Sequence, residues 1–325
     1  MMNAARRTSD PRAPLSALSR YVRRLSTRST SFALIALVAA SIALCGPVFA
    51  DDQASTLKRI HDDNAISLGV REASVPFSYF DGEKTVGYSQ AIALKIVDEI
   101  RKTLDRPDLT VNEVPITSST RIPMLLNNQI DLECSSTTHT REREAQVAFS
   151  HSFFVYPVRM LVRRNSGIAD FNDLTGKTIV TTAGTSVERV VRRLDSDRHL
   201  NMRIISAPDH PQALAAVRDG RAVAFLMDEP ILTGMRATQP HPADFVVTGT
   251  PLMSESYACM FRKGDAPLRA LVNRVIDRMQ VSGDAERLYD TWFTQPIPPH
   301  GINLDTPLSP QMRALFAHPN DVPLD

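Results

Sequence analysis

The chain is poor in the residues that usually announce chemistry. Its 325 residues include 13 scattered glycines, three cysteines and one tryptophan, and only 6% are aromatic. There is no glycine loop of the kind that cradles phosphate, no G-x-S-x-G elbow and no H-E-x-x-H pair. The eight histidines do not fall at metal-ligand spacing, and a metal site or bound cofactor is not expected. A basic block is also missing, so a nucleic-acid partner has no electrostatic support. No apolar run reaches the roughly 20 residues that cross a bilayer.

The longest apolar run, residues 32–44, follows seven arginines and leads into Val48-Phe49-Ala50. That order predicts a cleavable signal peptide over residues 1–50 and export to the periplasm. A retained anchor, a twin-arginine signal at Arg23-Arg24 and a lipidated Cys45 are the weaker readings, since the apolar core is short and Leu44 precedes Cys45. Removing the leader takes away seven arginines and one aspartate, which leaves 30 basic and 35 acidic residues and a net charge of about −5. Two cysteines then remain, Cys134 and Cys259, in a compartment where disulfides persist. A bridge and a pair of free buried thiols are both compatible with the composition.

From Ile66 onward short apolar strands alternate with amphipathic helices, the sign of an α/β protein. Ile66, Leu68 and Val70 alternate as a strand, and Ile92, Ile96, Val97 and Ile100 recur at helical spacing. After a helix before Asn127-Asn128 a strand is expected over 131–135. The pattern restarts beyond a long strand-like segment at 155–163, with strands near 177–182, 204–205 and 222–227 and a helix over 211–219 that has Gly220 as its cap. A second strand-like segment, 256–262, precedes helices over 266–280 and 284–293. Two crossings of this kind predict two α/β lobes joined by a two-strand hinge, lobe one from 51–158 and 256–325 and lobe two from 159–255, with ligand in the cleft between them. Cys134, ending a central strand of lobe one, and Cys259, on the returning crossover, are then expected to sit side by side and bond. The proline-rich tail after Pro296 is expected to pack on the surface, with one helix starting at Ser309-Pro310.

Among polar residues, Arg71, Ser118, Arg121, Ser136, Thr138, Arg143, Thr185 and Ser186 fall at strand ends and helix starts. An arginine fork holds a carboxylate through two hydrogen bonds, and a helix N-terminus adds N–H donors. Any one of these arginines alone reads as a solvated surface residue; the group reads as a carboxylate site.

Several strings carry a resemblance: Arg71-Glu72-Ala73-Ser74-Val75-Pro76-Phe77-Ser78-Tyr79, Val86-Gly87-Tyr88-Ser89, Ile116-Thr117-Ser118 with Arg121-Ile122-Pro123, Glu133-Cys134-Ser135-Ser136-Thr137-Thr138, and Pro296-Ile297-Pro298-Pro299. They resemble the glutamate/aspartate-binding proteins of bacterial ABC importers. The resemblance implies the type II periplasmic binding fold. It also implies that Arg143, Ser136, Thr138 and the Thr185-Ser186 turn take an α-carboxylate, that Asp228 takes the α-ammonium, and that Arg71, Ser118, Arg121 and His210 surround a side-chain carboxylate. The partners it implies are L-glutamate or L-aspartate and an ABC permease in the inner membrane, for a monomeric protein that is not an enzyme. Three arginines against Asp228 give the site +2, with His210 neutral. Ser135 stands where relatives often have glycine, and Val187 stands where a further hydroxyl is common. A dehydratase-type enzyme on the same fold is the alternative, with Glu72, Glu133 and His139 as its acid and base candidates.

Overall fold

The computed structural model describes residues 55–324; the expected signal segment and its cleavage point lie outside them. The chain opens with α1 (Thr56–Asp63), β1 (Ala65–Val70), the short strands β2 (Ala73–Ser74), β3 (Ser78–Phe80) and β4 (Thr85–Val86), and α2 (Tyr88–Leu104). There follow β5 (Thr110–Pro115), α3 (Arg121–Leu126), β6 (Leu132–Glu133), α4 (Arg141–Glu144) and the long β7 (Ala148–Arg163). Next come β8 (Thr178–Thr182), α5 (Ser186–Arg198), β9 (Arg203–Ala207), α6 (His210–Arg218), β10 (Ala224–Asp228), α7 (Glu229–Ala237) and β11 (Phe245–Thr248). The last elements are β12 (Ser254–Phe261), α8 (Ala266–Val281), α9 (Asp284–Phe293) and α10 (Pro310–Ala317).

Local chemistry explains the best-formed elements. In α2 the buried Ile92, Ile96, Val97 and Ile100 make one apolar stripe, and the helix stops where Asp105 turns left-handed with Arg101 and Lys102 in the last turn. Helix α5 starts where Thr185 Oγ1 accepts from Glu188 N at 3.2 Å, and α6 where Asp209 accepts from Gln212 N at 2.8 Å with Pro211 in the first turn. Asp219, not Gly220, is the C-cap of α6; Gly220 takes the left-handed turn one residue later.

Strand order in the main sheet is β5-β1-β6-β12-β7-β10-β8-β9, with β11 also on β7. Strands β1, β5 and β6 run parallel, as do β10, β8 and β9, while β7 and β12 are antiparallel to their neighbours. Strand β7 serves both regions: its residues up to Pro157 pair with β12, and those from Val158 pair with β10 and β11. It begins at Ala148, earlier than periodicity suggests, because Ala148, Phe149, Ser152 and Phe154 find partners on β12. Strand β6 is shorter than expected, covering only Leu132–Glu133, although Asp131 N still donates to Ser67 O at 2.7 Å beside it. The disulfide between Cys134 and Cys259 is formed, with its Cα atoms 4.3 Å apart.

Beneath the junction of β7 and β12 lies an aromatic core, in which Phe77 meets Phe154 at 4.9 Å and Tyr257 at 5.0 Å, edge to face. The tail packs on β7 through buried Met312, Leu315 and Phe316, with Ser309 capping α10. The two sheet regions also touch directly: a Cβ on Gly234 of α7 would lie 2.2 Å from Val75 O, a contact only glycine admits.

Candidate ligand-binding site

The ten residues expected to bind ligand are all buried. Arg71 leaves β1 with its backbone pinned to Ser78 Oγ, and its Nη1 donates to Ser118 Oγ at 2.9 Å. Arg121, at the start of α3, donates through Nη1 to Ser136 O at 3.1 Å and to Thr137 Oγ1. Arg143, in α4, donates to Thr138 O at 2.7 Å and, across to the second sheet region, to Gly184 O at 3.1 Å. All of these acceptors are neutral oxygens. Among the described residues none of the three arginines forms an ion pair. Burial pulls the guanidinium of Arg71 down to about 10, and the charge of Arg121 pulls the same way. Arg143 is also lowered to about 10, by burial first and then by Arg121 and Arg189.

Opposite them, Asp228 ends β10 with Oδ2 accepting from Tyr257 Oη, while its buried Oδ1 has no partner among the described residues. Burial first, and then the like charge of Glu255, hold this carboxyl well above the usual carboxylate range. His210, at the start of α6, sets Nδ1 2.9 Å from Thr182 Oγ1 and leaves Nε2 buried and unpartnered among the described residues. Burial, then Arg71 and Arg121, keep the imidazole neutral. Thr138 Oγ1 lies 3.0 Å from Ser186 Oγ, and Thr185 Oγ1 donates to Thr182 O at 2.7 Å. The site therefore presents bare cations, one open carboxylate oxygen and one open imidazole nitrogen, a set that suits a zwitterion with an additional acid group.

Two further buried acids belong to this cluster. Glu133 accepts from Thr137 Oγ1 at 2.5 Å and from Ser135 Oγ, so the serine that departs from glycine serves this carboxylate. Glu255, on β12, accepts from Tyr156 Oη at 3.2 Å and Ser186 Oγ at 3.0 Å. Three arginines thus face three carboxylates, and the expected charge of +2 is corrected to formal neutrality. The expected strand starts at Ser256, two residues late, and so leaves out Glu255, which period-two alternation puts on the same strand face as Tyr257. The acid and base candidates for an enzyme do not converge: Glu72 is exposed, while His139 stacks on Phe149 and bonds Glu144 at 2.8 Å.

Known proteins resemble this chain over most of its length. Residues 66–295 match the family model for bacterial extracellular solute-binding proteins, family 3. The L-glutamate/L-aspartate-binding protein of Pseudomonas aeruginosa is 45% identical over 280 residues, 86% of this chain and 93% of that protein. The glutamate/aspartate import solute-binding protein of Escherichia coli is 42% identical over 306 residues, 93% of this chain and all of that protein. Among solved structures, a mutant arginine-binding protein from T. maritima superposes with a TM-score of 0.65 at 26% identity, over 73% of this chain and 98% of that one. An ancestral amino acid-binding protein, a precursor of cyclohexadienyl dehydratase, superposes with a TM-score of 0.64 at 26% identity, over 74% and 100%.

Proposed function

Since this chain belongs to family 3 of the bacterial extracellular solute-binding proteins, we propose that it captures L-glutamate or L-aspartate in the periplasm and hands it to the permease of an ABC importer. The observation that carries this reading is the trio of buried, unpaired arginines facing the open Asp228 Oδ1 and His210 Nε2. Isolated buried charges cost several kcal/mol unless a partner compensates them, and an acidic amino acid brings carboxylates that can bond directly to guanidinium groups now held only by neutral oxygens.

In this scheme residues 1–50 direct export and are removed. Lobe one comprises 51–158 and 256–325, lobe two comprises 159–255, and β7 and β12 form the hinge. The ligand's α-carboxylate lies against Arg143 with Ser136, Thr138 and the N-terminus of α5 at Thr185 and Ser186, where N–H donors add to the cation. Its α-ammonium takes Asp228 Oδ1. Its side-chain carboxylate lies among Arg71, Arg121, Ser118 and the Nε2 of His210, which donates in the neutral tautomer when Thr182 donates to Nδ1. Since Arg143 already reaches Gly184 across the cleft, closure and ligand capture share one residue. The protein acts as a monomer, needs no cofactor, and returns its ligand unchanged.

A thermal-shift panel over the twenty amino acids tests this. Ligand at about a hundred times Kd stabilises a native protein by roughly 2.7 kcal/mol, so glutamate and aspartate should stand apart. A larger shift with a neutral or basic amino acid, or recovery of a chemically altered ligand, refutes the reading.

A further inference from the structure

The buried acid Glu255 has no role in that scheme. Glu255 Oε2 touches Tyr156 Oη and Ser186 Oγ, and both hydroxyls also touch Thr138 Oγ1, at 2.8 and 3.0 Å. The four oxygens close a ring. Its members come from β12, from β7, from the loop before α4 and from the first turn of α5, and none is more than 3% exposed. The ring therefore ties both linking strands to one residue on either side of the cleft.

Counting hydrogens favours one state. Four contacts need four protons, and Tyr156, Thr138 and Ser186 bring three. With Glu255 ionised, Tyr156 and Ser186 both donate to Oε2, and Thr138 can donate to only one of them. One Thr138 contact is then left as two oxygens with no proton between them. A proton on Oε2 lets every contact carry a hydrogen, with Oε2–H donating to Tyr156 in place of accepting from it, Tyr156 to Thr138, Thr138 to Ser186 and Ser186 back to Oε2; a hydroxyl that turns to the ligand's α-carboxylate leaves the ring short of one more.

Charge points the same way: Arg71, Arg121 and Arg143 are matched in number by Glu133, Asp228 and Glu255, so an acidic amino acid of charge −1 brings an anion in excess, and burial already favours a proton on Asp228 and Glu255. The charged and titratable groups that face Glu255 are Arg143 of α4, Arg189 of α5, Tyr156 of β7, Asp228 of β10 and Tyr257 of β12. Neither arginine pairs with it, and Arg189 is held by Glu142 at 2.9 Å. Burial raises this carboxyl above its ordinary range, against the lowering effect of Ser186, Tyr156 and the two arginines. A cavity of about 200 Å³, lined by Thr140, Ser186, Arg189, Arg193, Met253 and Glu255, gives protons a way in.

We propose that Glu255 is a positioning residue for closure, and that it takes one proton from solvent as the hydroxyl ring shuts over an acidic amino acid. This rests on the functional reading above. Calorimetric titration of glutamate at one pH in two buffers of different ionisation enthalpy measures the protons absorbed. Wild type should absorb close to one above the pH at which the open form ionises, and there its Kd should rise about tenfold per pH unit. Glu255→Gln keeps a donor and an acceptor in the ring but cannot titrate. It should bind more tightly than Glu255→Ala at every pH, with uptake near zero and a flat pH profile. Glutamate binding by wild type without proton uptake, or the same uptake in Glu255→Gln, overturns the proposal alone. Failure of wild type to bind either acidic amino acid at any pH overturns the functional reading and the proposal with it.

Discussion

Asp131 and the arginines Arg71, Arg121 and Arg143 are all buried charges, and the molecule treats them in opposite ways. Asp131 is met by Arg59 and, at 2.9 Å, by Arg262, while its second oxygen accepts from Ser67 N at 3.0 Å. Arg262 continues to Ile130 O and Thr56 Oγ1, so this knot binds α1, β1 and the end of β12 into one body. The three site arginines hold only serine and threonine hydroxyls and backbone carbonyls. A charge that is satisfied internally fixes the fold, whereas one left to neutral oxygens weakens the fold and waits for a partner from outside.

The contrast can be broken most severely at Asp131. Asp131→Ala leaves the buried end of Arg262 without its carboxylate and removes one of the two that meet Arg59, and should cost about 3 to 5 kcal/mol in urea unfolding, with glutamate Kd unchanged in the protein that remains folded. A loss of affinity without a loss of stability would erase the distinction. Arg143→Ala and Asp228→Ala should do the reverse, each weakening glutamate and aspartate together by about 2 to 5 kcal/mol, or roughly thirtyfold to several thousandfold. The unfolding midpoint of the ligand-free Arg143→Ala protein should not fall, because the charge removed had no counter-ion. Smaller, and a test of which pole reads the side chain, is Arg121→Met: calorimetry with glutamate and glutamine should show the preference for glutamate shrinking by at least about tenfold. An unchanged ratio would make Arg121 a scaffold residue for the 136–137 loop.

The smallest effect concerns His210. Its folded pKa lies below the unfolded value of about 6.5, so the unfolded chain binds the proton first as pH falls. Its stabilising contribution is intact above about pH 6.5 and declines as pH drops through that value, by up to about 1.4 kcal/mol per unit. Unfolding midpoints at pH 7.5 and 5.5 should therefore converge in His210→Asn relative to wild type.

How much of this was legible depended on distance along the chain. The stripe Ile92, Ile96, Val97 and Ile100 and the caps Thr185 and Ser309 are local signals, and they mark helices where the structure has them. The strands β2, β3, β4 and β11 are two to four residues long, too short for any period to register. In the site, arginines and hydroxyls at strand ends marked the cationic half, and the resemblance added Asp228 and His210. Glu255 escaped because a carboxylate on a strand reads as solvated until Tyr156 and Ser186, 99 and 69 residues away, are brought to it. The same holds for Ser135, whose effect is exerted on Glu133 rather than on any ligand.

The bond between Cys134 and Cys259 spans a separation of 125 residues, and every residue from 159 to 255 lies inside the loop it closes. Held by its two ends in an optical trap, the oxidised molecule would transmit tension past that loop without loading it. At roughly 3.3 to 3.6 Å per residue, on the order of 400 Å of contour would stay hidden until a reductant was added. The region from β8 to β11 would thus be mechanically silent while the rest of the chain was drawn out, so a pulling trace taken with and without reductant would separate the strength of one half of the protein from that of the other.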